Sequence, residues 1–280
     1  ASGVNALTAL HIGSKDDEGL KRTVHTAVII CLAGGILITV FGILFSHNIL
    51  ALMNTKDELI DGAVLYLRIY LLGMPALGLY NFGNAVLSAA GDTKRPLYYL
   101  AFAGVVNVIL NLFFVIVCHL GVSGVALASM ISQFISAFLI LRALLTGKEK
   151  YCLRLSEIRF DKRKAVGILQ IGIPSAFQYS LFAFANLFVQ SSVNSFDHVL
   201  VEGNSAAANA DPLVYDMMAA FYTACSSFIA QNFGARKKKR ILQTYLICLF
   251  YSFITRLVLG VGIYLAKYPF LYLFTSDKVV

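Results

Sequence analysis

Polar side chains recur at helical spacing inside long uncharged stretches of the sequence. Asn107 and Asn111 are four residues apart and Asn81 and Asn84 are three apart, so each pair shares one face of a helix. Further along, a polar stripe runs beside several phenylalanines and consists of Gln178, Asn186, Gln190 and Asn194. Amides offer both carbonyl oxygens and N–H donors, so these residues are candidates for holding Na⁺ or a polar substrate group. Hydrogen bonding between helices, which is common in membrane bundles, is the alternative.

Two acids, Asp211 and Asp216, are the only carboxylates within any predicted membrane span. They are five residues apart and face different sides of an ideal helix: Asp211 shares a face with Tyr215, and Asp216 shares one with Asn209 and Pro212. A proline inside a helix frees the carbonyl four residues back, and an acid near such a break is a candidate proton or Na⁺ site. Asp216 lies deeper in the span, so we expect it to contribute more to ion coupling than Asp211. For Asp211 the alternative is a position near the outer interface, where water solvates the carboxylate.

Arg256 is a basic residue within the last predicted span. Either an ion pair, with Asp216 as the partner, or extension of its long side chain to the outer surface would accommodate the charge.

The composition excludes most other classes of protein. Of the 280 residues, 58% are hydrophobic and only 14% are charged, with a mean hydropathy of +0.74. A soluble domain carries about a quarter of its residues as charges, so the chain is predicted to be an all-α polytopic membrane protein. No HExxH, GxGxxG or P-loop motif occurs, and the five cysteines form no CxxC motif. We therefore expect neither an enzyme nor a cofactor.

The charge pattern predicts seven membrane-spanning helices. Stretches with few or no charges cover approximately residues 23–53, 62–90, 96–118, 122–146, 165–196, 204–233 and 241–267. Alternate loops carry most of the Lys and Arg residues, so the positive-inside rule assigns the net charge of +8 to cytoplasmic loops rather than to nucleic-acid binding. Pro174 lies early in its span, where its missing N–H is expected to do little harm.

A weak internal repeat relates two turns of the chain. The stretch beginning at His11 matches the stretch beginning at Asn232 without gaps, at an offset of 221 residues that superposes Gly13 on Gly234. Six spans separate the copies, so the repeat is parallel, as in a transporter built of two six-helix halves. We expect a partial N-lobe over 1–146, a cytoplasmic linker over 147–164 and a partial C-lobe over 165–280. The linker stretch 153–160 has the pattern of a short amphipathic piece at the membrane surface or of an ordinary charged loop.

Several motifs in order resemble one transporter family. The longest is the helix from Gly73 that ends in the turn Gly-Asp-Thr-Lys-Arg-Pro96, and it is followed by Asn-Val-Ile-Leu-Asn111, Gly-Ile-Pro174 and Gln-Asn-Phe-Gly-Ala235. The ordered set resembles the MATE family (multidrug and toxic compound extrusion). The resemblance implies an incomplete two-lobe bundle that runs from the end of the second helix through the ninth, as a piece of a longer chain.

The resemblance also implies an activity. A MATE-type protein is a monomeric transporter of the cell membrane, surrounded by membrane lipids, that exports organic and often cationic small molecules in exchange for H⁺ or Na⁺. By resemblance, Asn81, Asn107 and Asn111 face the cavity of the first lobe.

The sequence departs from the family pattern at three positions. Ser88 stands where many members have Arg, Asn111 stands where some have an acid, and Phe182 stands where others have a coupling Glu. The coupling ion therefore does not follow from the resemblance. Two rival functions remain: a lipid or polysaccharide flippase of the same superfamily, and a seven-helix receptor.

Overall fold

A computed structural model of the chain describes residues 1–52, 57–193 and 210–266. The described residues form helices joined by short turns and contain no strand, which confirms the all-α prediction. The α-helices are α1 (Ser2–Ser14), α2 (Asp17–Leu52), α3 (Asp57–Leu71), α4 (Met74–Ala89), α5 (Lys94–Leu112), α6 (Gly121–Thr146), α7 (Lys162–Val193), α8 (Ala210–Gly234) and α9 (Lys238–Leu265). A π-helical turn, Phe113–Val117, extends α5, and a 3₁₀ turn, Leu155–Glu157, lies in the linker.

Most of the predicted spans are present as membrane-length helices. Among the described residues, five helices are long and apolar enough to cross a membrane, and α3 with α4 forms a sixth if the bent pair is one span. The predicted span over 204–233 is described from residue 210 onward as α8, and that part of it is not among these helices.

The predicted span over 62–90 is interrupted: the chain breaks between α3 and α4 and bends by 43°. Pro75 in the first turn of α4 has no N–H and cannot bond the carbonyl of Leu71, four residues back. The hydroxyl of Thr39 donates to that carbonyl at 2.6 Å instead. A neighbouring helix thus satisfies the group that the break exposes, as an apolar environment requires.

The interpretation of Pro174 as an early residue of its span is wrong. Helix α7 begins at Lys162, so Pro174 lies in the helix interior. The helix continues through it, which leaves the carbonyl of Gln170 without its usual partner in the helix.

The turns at the two repeat positions have the same conformation. Lys15 and Arg236 both adopt the left-handed conformation, with φ of 57° and 56°. In the first turn, Lys15 N donates to the Ile12 carbonyl and Asp16 N donates to the His11 carbonyl. In the second, the donors Arg236 N and Lys237 N reach the carbonyls of Phe233 and Asn232, which are the equivalent positions. Helices α2 and α9 then begin at equivalent residues, so the sequence offset of 221 is also a structural one.

Helix α4 forms the centre of the described bundle, and its close contact with α2 explains two glycines. A Cβ on Gly78 would lie 2.7 Å from the Cys31 carbonyl oxygen of α2, and one on Gly35 of α2 would lie 2.6 Å from the Pro75 Cα. Small residues let helix backbones approach this closely, which is the usual way helices associate in membranes. The fully buried side chains at this centre include Phe82 and Leu87 of α4 and Ile140 of α6.

The linker is folded against the start of α2. Arg154 N donates to His25 Nε2 at 3.1 Å, and the other ring nitrogen of His25 lies 2.7 Å from the Lys21 carbonyl oxygen. Asp161 N donates to the Thr26 hydroxyl at 3.0 Å. Three ion pairs add to these contacts: Lys21 with Glu157, Arg22 with Asp161, and Lys150 with Asp17. The linker therefore has one defined position relative to α2.

Candidate functional site: a polar cluster between α5 and α6

The two asparagines predicted to share a face of α5 do so, and they contact α6. Asn111 Nδ2 donates to Asn107 Oδ1 at 3.0 Å, and Asn107 Nδ2 donates to the Ser129 hydroxyl of α6 at 3.5 Å. The Asn111 Oδ1 atom is buried and has no hydrogen-bond partner. A buried acceptor without a partner is costly. We define Asn107, Asn111 and Ser129 as the polar cluster.

The backbone beside the polar cluster is irregular. The π-helical turn begins two residues after Asn111, and its last hydrogen bond runs from Cys118 N to the Phe113 carbonyl at 3.0 Å. Such turns occur frequently at functional sites. Ser129 was missed from the sequence, because serines are common in α6 and nothing in their spacing distinguishes this one.

The α4 asparagines lie apart from the polar cluster. Asn84 Oδ1 accepts a bond from the Ser88 hydroxyl of its own helix at 3.1 Å, and Asn81 is half-buried. Within the described chain, no hydrogen bond joins either residue to α5. Their predicted role in a cavity stays a prediction.

The predicted polar stripe of α7 is described only in part. Gln178 and Asn186 are exposed, as are Phe182 and Phe188 beside them. The side chain of Gln190 and all of Asn194 lie outside the described residues. No hydrogen bond brings the stripe into contact with the polar cluster in the part that is described.

The predicted acidic site is likewise described in part. Asp216 is exposed on α8 and Tyr215 is 48% exposed, whereas Asn209 and the side chain of Asp211 lie outside the described residues. The proposed ion pair between Asp216 and Arg256 is not formed: no ion pair of the described residues includes either side chain, and Arg256 is exposed on α9. The exposed position of Arg256 favours the alternative, extension toward a surface.

A second polar network, which the sequence did not indicate, joins α1, α4 and α8. The Ser227 hydroxyl donates to Asn5 Oδ1 at 2.7 Å, and Asn5 Nδ2 donates to the Ala85 carbonyl at 3.2 Å. One turn further along α8, Gln231 Nε2 donates to the Ala89 carbonyl at 2.6 Å. Asn5 is buried, so each of its bonds replaces contacts with water that the fold has removed. These bonds fix α8 against the first part of the chain.

A chain of three side chains, Asp16, His11 and Lys164, connects α1 to α7. His11 Nδ1 lies 3.0 Å from Asp16 Oδ2, and Lys164 Nζ lies 2.8 Å from His11 Nε2. The imidazole therefore donates to the carboxylate through Nδ1 and accepts from the ammonium through Nε2, which requires the neutral ring. Burial, and next the positive charge of Lys164, lower the pKa of His11. The bond from Gly19 N is the main cause that lowers the pKa of Asp16.

No group of three His, Cys, Asp or Glu side chains able to hold a metal ion occurs among the described residues. A cation at the polar cluster would have neutral oxygen ligands, which suit Na⁺ rather than a transition metal.

Comparison with known proteins assigns the family. The family model MatE matches residues 1–113 and 174–280. The chain belongs to the MatE family of transporters. It is a multi-pass membrane protein with the fold of that family. The expectation drawn from the sequence motifs is thereby confirmed, and the receptor alternative is not.

Curated relatives in Bacillus subtilis support the MatE assignment. The probable multidrug resistance protein YoeA is 28% identical over 99% of this chain and 61% of its own length. The probable multidrug resistance protein YpnP is 30% identical over 82% of this chain and 51% of its own length. The chain thus spans between half and two thirds of the length of these relatives.

A solved MatE-type structure has the same fold. The outward-facing structure of a multidrug resistance MATE family transporter superposes with a TM-score of 0.88 and 22% identity, and it covers 98% of this chain and 61% of the other. The chain therefore adopts the transporter fold over nearly its whole length.

Proposed function

We propose that the full-length protein exports organic, often cationic, compounds across the cytoplasmic membrane by antiport with H⁺ or Na⁺. The polar cluster carries the proposal: it is a set of neutral oxygens inside a membrane bundle, and one of them, Asn111 Oδ1, is buried without a partner. A cation or a substrate N–H group at this oxygen would replace the missing hydrogen bond. The names of the YoeA and YpnP relatives support drug export.

Coupling to an ion gradient needs a group that changes state, and the polar cluster has none that titrates. We therefore assign the coupling role to Asp216, with Asp211, Tyr215 and Asn209 as its neighbours in the sequence. An exposed carboxylate can bind a proton or Na⁺ and release it again, and binding removes the cost of moving an uncompensated charge through the membrane. The aromatic and amide residues of α7 supply a surface suited to amphipathic substrates.

Transport by the full-length protein in vesicles tests the two roles separately. The probe is ethidium, driven by an imposed H⁺ gradient in one series and an imposed Na⁺ gradient in another. Asn111→Ala should weaken ethidium transport under either gradient. Asp216→Asn should abolish gradient-driven transport but leave ethidium binding to the purified protein largely intact. Asn48→Ala, an exposed amide on α2, is the matched control and should transport normally.

Two results would contradict the proposal. Normal gradient-driven transport by Asp216→Asn would place the coupling group elsewhere in the full-length chain. Movement of lipid-linked substrates without dependence on either gradient would favour the flippase alternative.

A further inference from the structure

The linker carries an exposed apolar surface at the level where α2 enters the membrane. His25 and Thr26, which hold the linker backbone, lie in the first turn after the last charged residue of α2, Arg22. The uncharged run of α2 starts at Thr23. The linker arc, which we define as residues 154–163, therefore lies at the cytoplasmic boundary of the hydrocarbon.

The apolar side chains of the linker arc point away from the protein. Leu155 is 71% exposed, Phe160 is 59% exposed and Ile158 is 36% exposed, so the arc places three large apolar groups within six residues of one another on its surface. By contrast, Leu153, just before the arc, is 4% exposed and packs in the core. Exposure of this apolar surface to water is unfavourable, and an exposed apolar patch of this kind marks an interaction site.

The charge that remains available on the linker arc is positive. The carboxylates of Glu157 and Asp161 are already paired with Lys21 and Arg22. Arg159, Lys162 and Arg163 are exposed, and none has a carboxylate within 4.0 Å among the described residues.

An open cleft separates the linker arc from the start of α2. It has a volume of about 700 Å³. The arc contributes Arg159, Phe160 and Lys162 to its lining. The remaining charged lining residues are Lys21, Arg22, Glu18, Glu157 and Asp161. Lys21 and Arg22 are paired with the carboxylates of the cleft, so a phosphate group there would meet the remaining cations of the lining, Arg159 and Lys162 of the arc. An acyl chain could lie along the apolar side chains.

We propose that the linker arc is a docking surface for anionic phospholipids of the cytoplasmic leaflet. Leu155 and Phe160 insert at the boundary between headgroups and acyl chains, and Arg159, Lys162 and Arg163 contact the lipid phosphates. Apolar groups flanked by basic residues are the combination by which interfacial segments bind anionic membranes. The hydrogen bonds to His25 and Thr26 hold the arc in place, so lipid binding requires no folding step.

Fluorescence at Phe160 tests the lipid docking directly. The 280 residues contain no tryptophan, so Phe160→Trp in the full-length protein adds a local probe once any indole in the flanking parts is replaced by phenylalanine. The protein is reconstituted into phosphatidylcholine vesicles and into equal mixtures of phosphatidylcholine and phosphatidylglycerol, each with and without brominated acyl chains. We expect blue-shifted emission and quenching by the brominated lipids, with stronger quenching in the mixture. Glu149→Trp, at an exposed position of the same linker outside the arc, is the control and should remain quenched by aqueous iodide.

Removal of the cations separates lipid recognition from simple burial. In the Phe160→Trp background, the triple change Arg159→Gln, Lys162→Gln and Arg163→Gln should abolish the difference between the two vesicles. The same number of changes at Lys237, Lys238 and Lys239 should preserve the difference. Quenching of the introduced indole by iodide but not by brominated lipid would overturn the proposal and favour a cytosolic protein as the partner. Equal quenching in both vesicles before the cations are removed would also overturn it, because an anionic lipid would then have no role.

Discussion

Gly13 and Gly234 pack reciprocally where α1 crosses α8. A Cβ on Gly13 would overlap the Gln231 carbonyl oxygen and lie 2.6 Å from its carbon, and a Cβ on Gly234 would overlap the Leu10 carbonyl oxygen and lie 3.1 Å from its carbon. Leu10 and Gln231 are themselves related by the repeat offset of 221 residues. Gly13 of α1 therefore contacts α8 in the same way as Gly234 of α8 contacts α1, and such reciprocal contacts indicate a two-fold relation between the two helices.

The first prediction concerns this crossing. Gly13→Ala and Gly234→Ala should each destabilise the full-length protein by about 1–3 kcal/mol, because a backbone rather than a flexible side chain blocks the new methyl group. Thermal unfolding in detergent measures the effect. Gly104→Ala on α5 has nothing within 4 Å of the added methyl group and should be neutral or slightly stabilising. Equal behaviour of all three variants would show that α1 and α8 cross less closely.

The second prediction concerns the buried network of Asn5. Asn5→Ala removes the partner of the Ser227 hydroxyl and of the Ala85 carbonyl, and should cost about 1–3 kcal/mol because the carbonyl stays buried. In Asn5→Ala the Ser227 hydroxyl can still donate its one hydrogen to the Thr223 carbonyl of its own helix. Ser227→Ala should also destabilise the fold, by about 1–3 kcal/mol, because it leaves the buried Asn5 Oδ1 without a donor. A double-mutant cycle should give a clear coupling energy between Asn5 and Ser227. Additive costs would mean that the hydrogen bond contributes nothing to stability.

The third prediction is a pH dependence caused by His11. Burial lowers the pKa of His11 in the fold, so as the pH falls through about 6.5, the unfolded chain binds a proton that the folded protein does not. Stability should therefore fall with pH from about 6.5 down to the lowered pKa of the folded state, and the acceptor for Lys164 is lost on protonation. In His11→Asn the unfolding temperature should fall less over this interval. Parallel curves for the two proteins would contradict the prediction.

The fourth prediction concerns the first turn of α7. Asp161 Oδ1 accepts bonds from Arg163 N at 2.9 Å and Lys164 N at 3.2 Å, so the carboxylate caps the helix. Asp161→Ala should destabilise the fold by about 0.5–2 kcal/mol. Asp161→Asn keeps an acceptor oxygen and should be nearly neutral, because the partner charge of Arg22 is exposed and contributes little. Denaturant unfolding distinguishes the two variants, and an equal loss in both would assign the effect to charge.

The fifth prediction concerns topology. Cys118 is exposed in the turn between α5 and α6, on the side opposite the basic loops, so a membrane-impermeant maleimide should label it in intact cells. A cysteine introduced by Lys238→Cys should be labelled only after permeabilisation. Serine at all five native cysteines of these 280 residues provides the background for that measurement. Labelling of Lys238→Cys from outside would invert the orientation.

The sequence predicted the features that depend on local pattern. The helix lengths followed from uncharged runs, and the repeat that pairs Gly13 with Gly234 returned as two turns with the same hydrogen bonds. The break before Pro75 was accessible in principle, because a proline that frees the Leu71 carbonyl interrupts a helix. The hydrogen bond that the Thr39 hydroxyl donates to the Leu71 carbonyl could not be predicted, because Thr39 lies more than thirty residues earlier in the sequence.

The candidate site shows the same limit. The spacing of Asn107 and Asn111 placed them on one face, whereas Ser129 and the network of Asn5 depend on which helices pack together. Long-range packing is set by the sum of many small contacts, and no short motif records it.

The two similar turns also bear on how the halves of the chain can change over time. In a dimer of two identical chains, every position near the two-fold contact occurs twice. A substitution in the gene would therefore change both copies of that position. In this chain the repeats are covalently joined, and position 11 is a histidine bonded to Asp16 and Lys164 while its counterpart is Asn232. Joining the halves in one chain thus permits the two turns to differ: one holds an ionisable histidine and the other a neutral amide, while the helix crossing is shared.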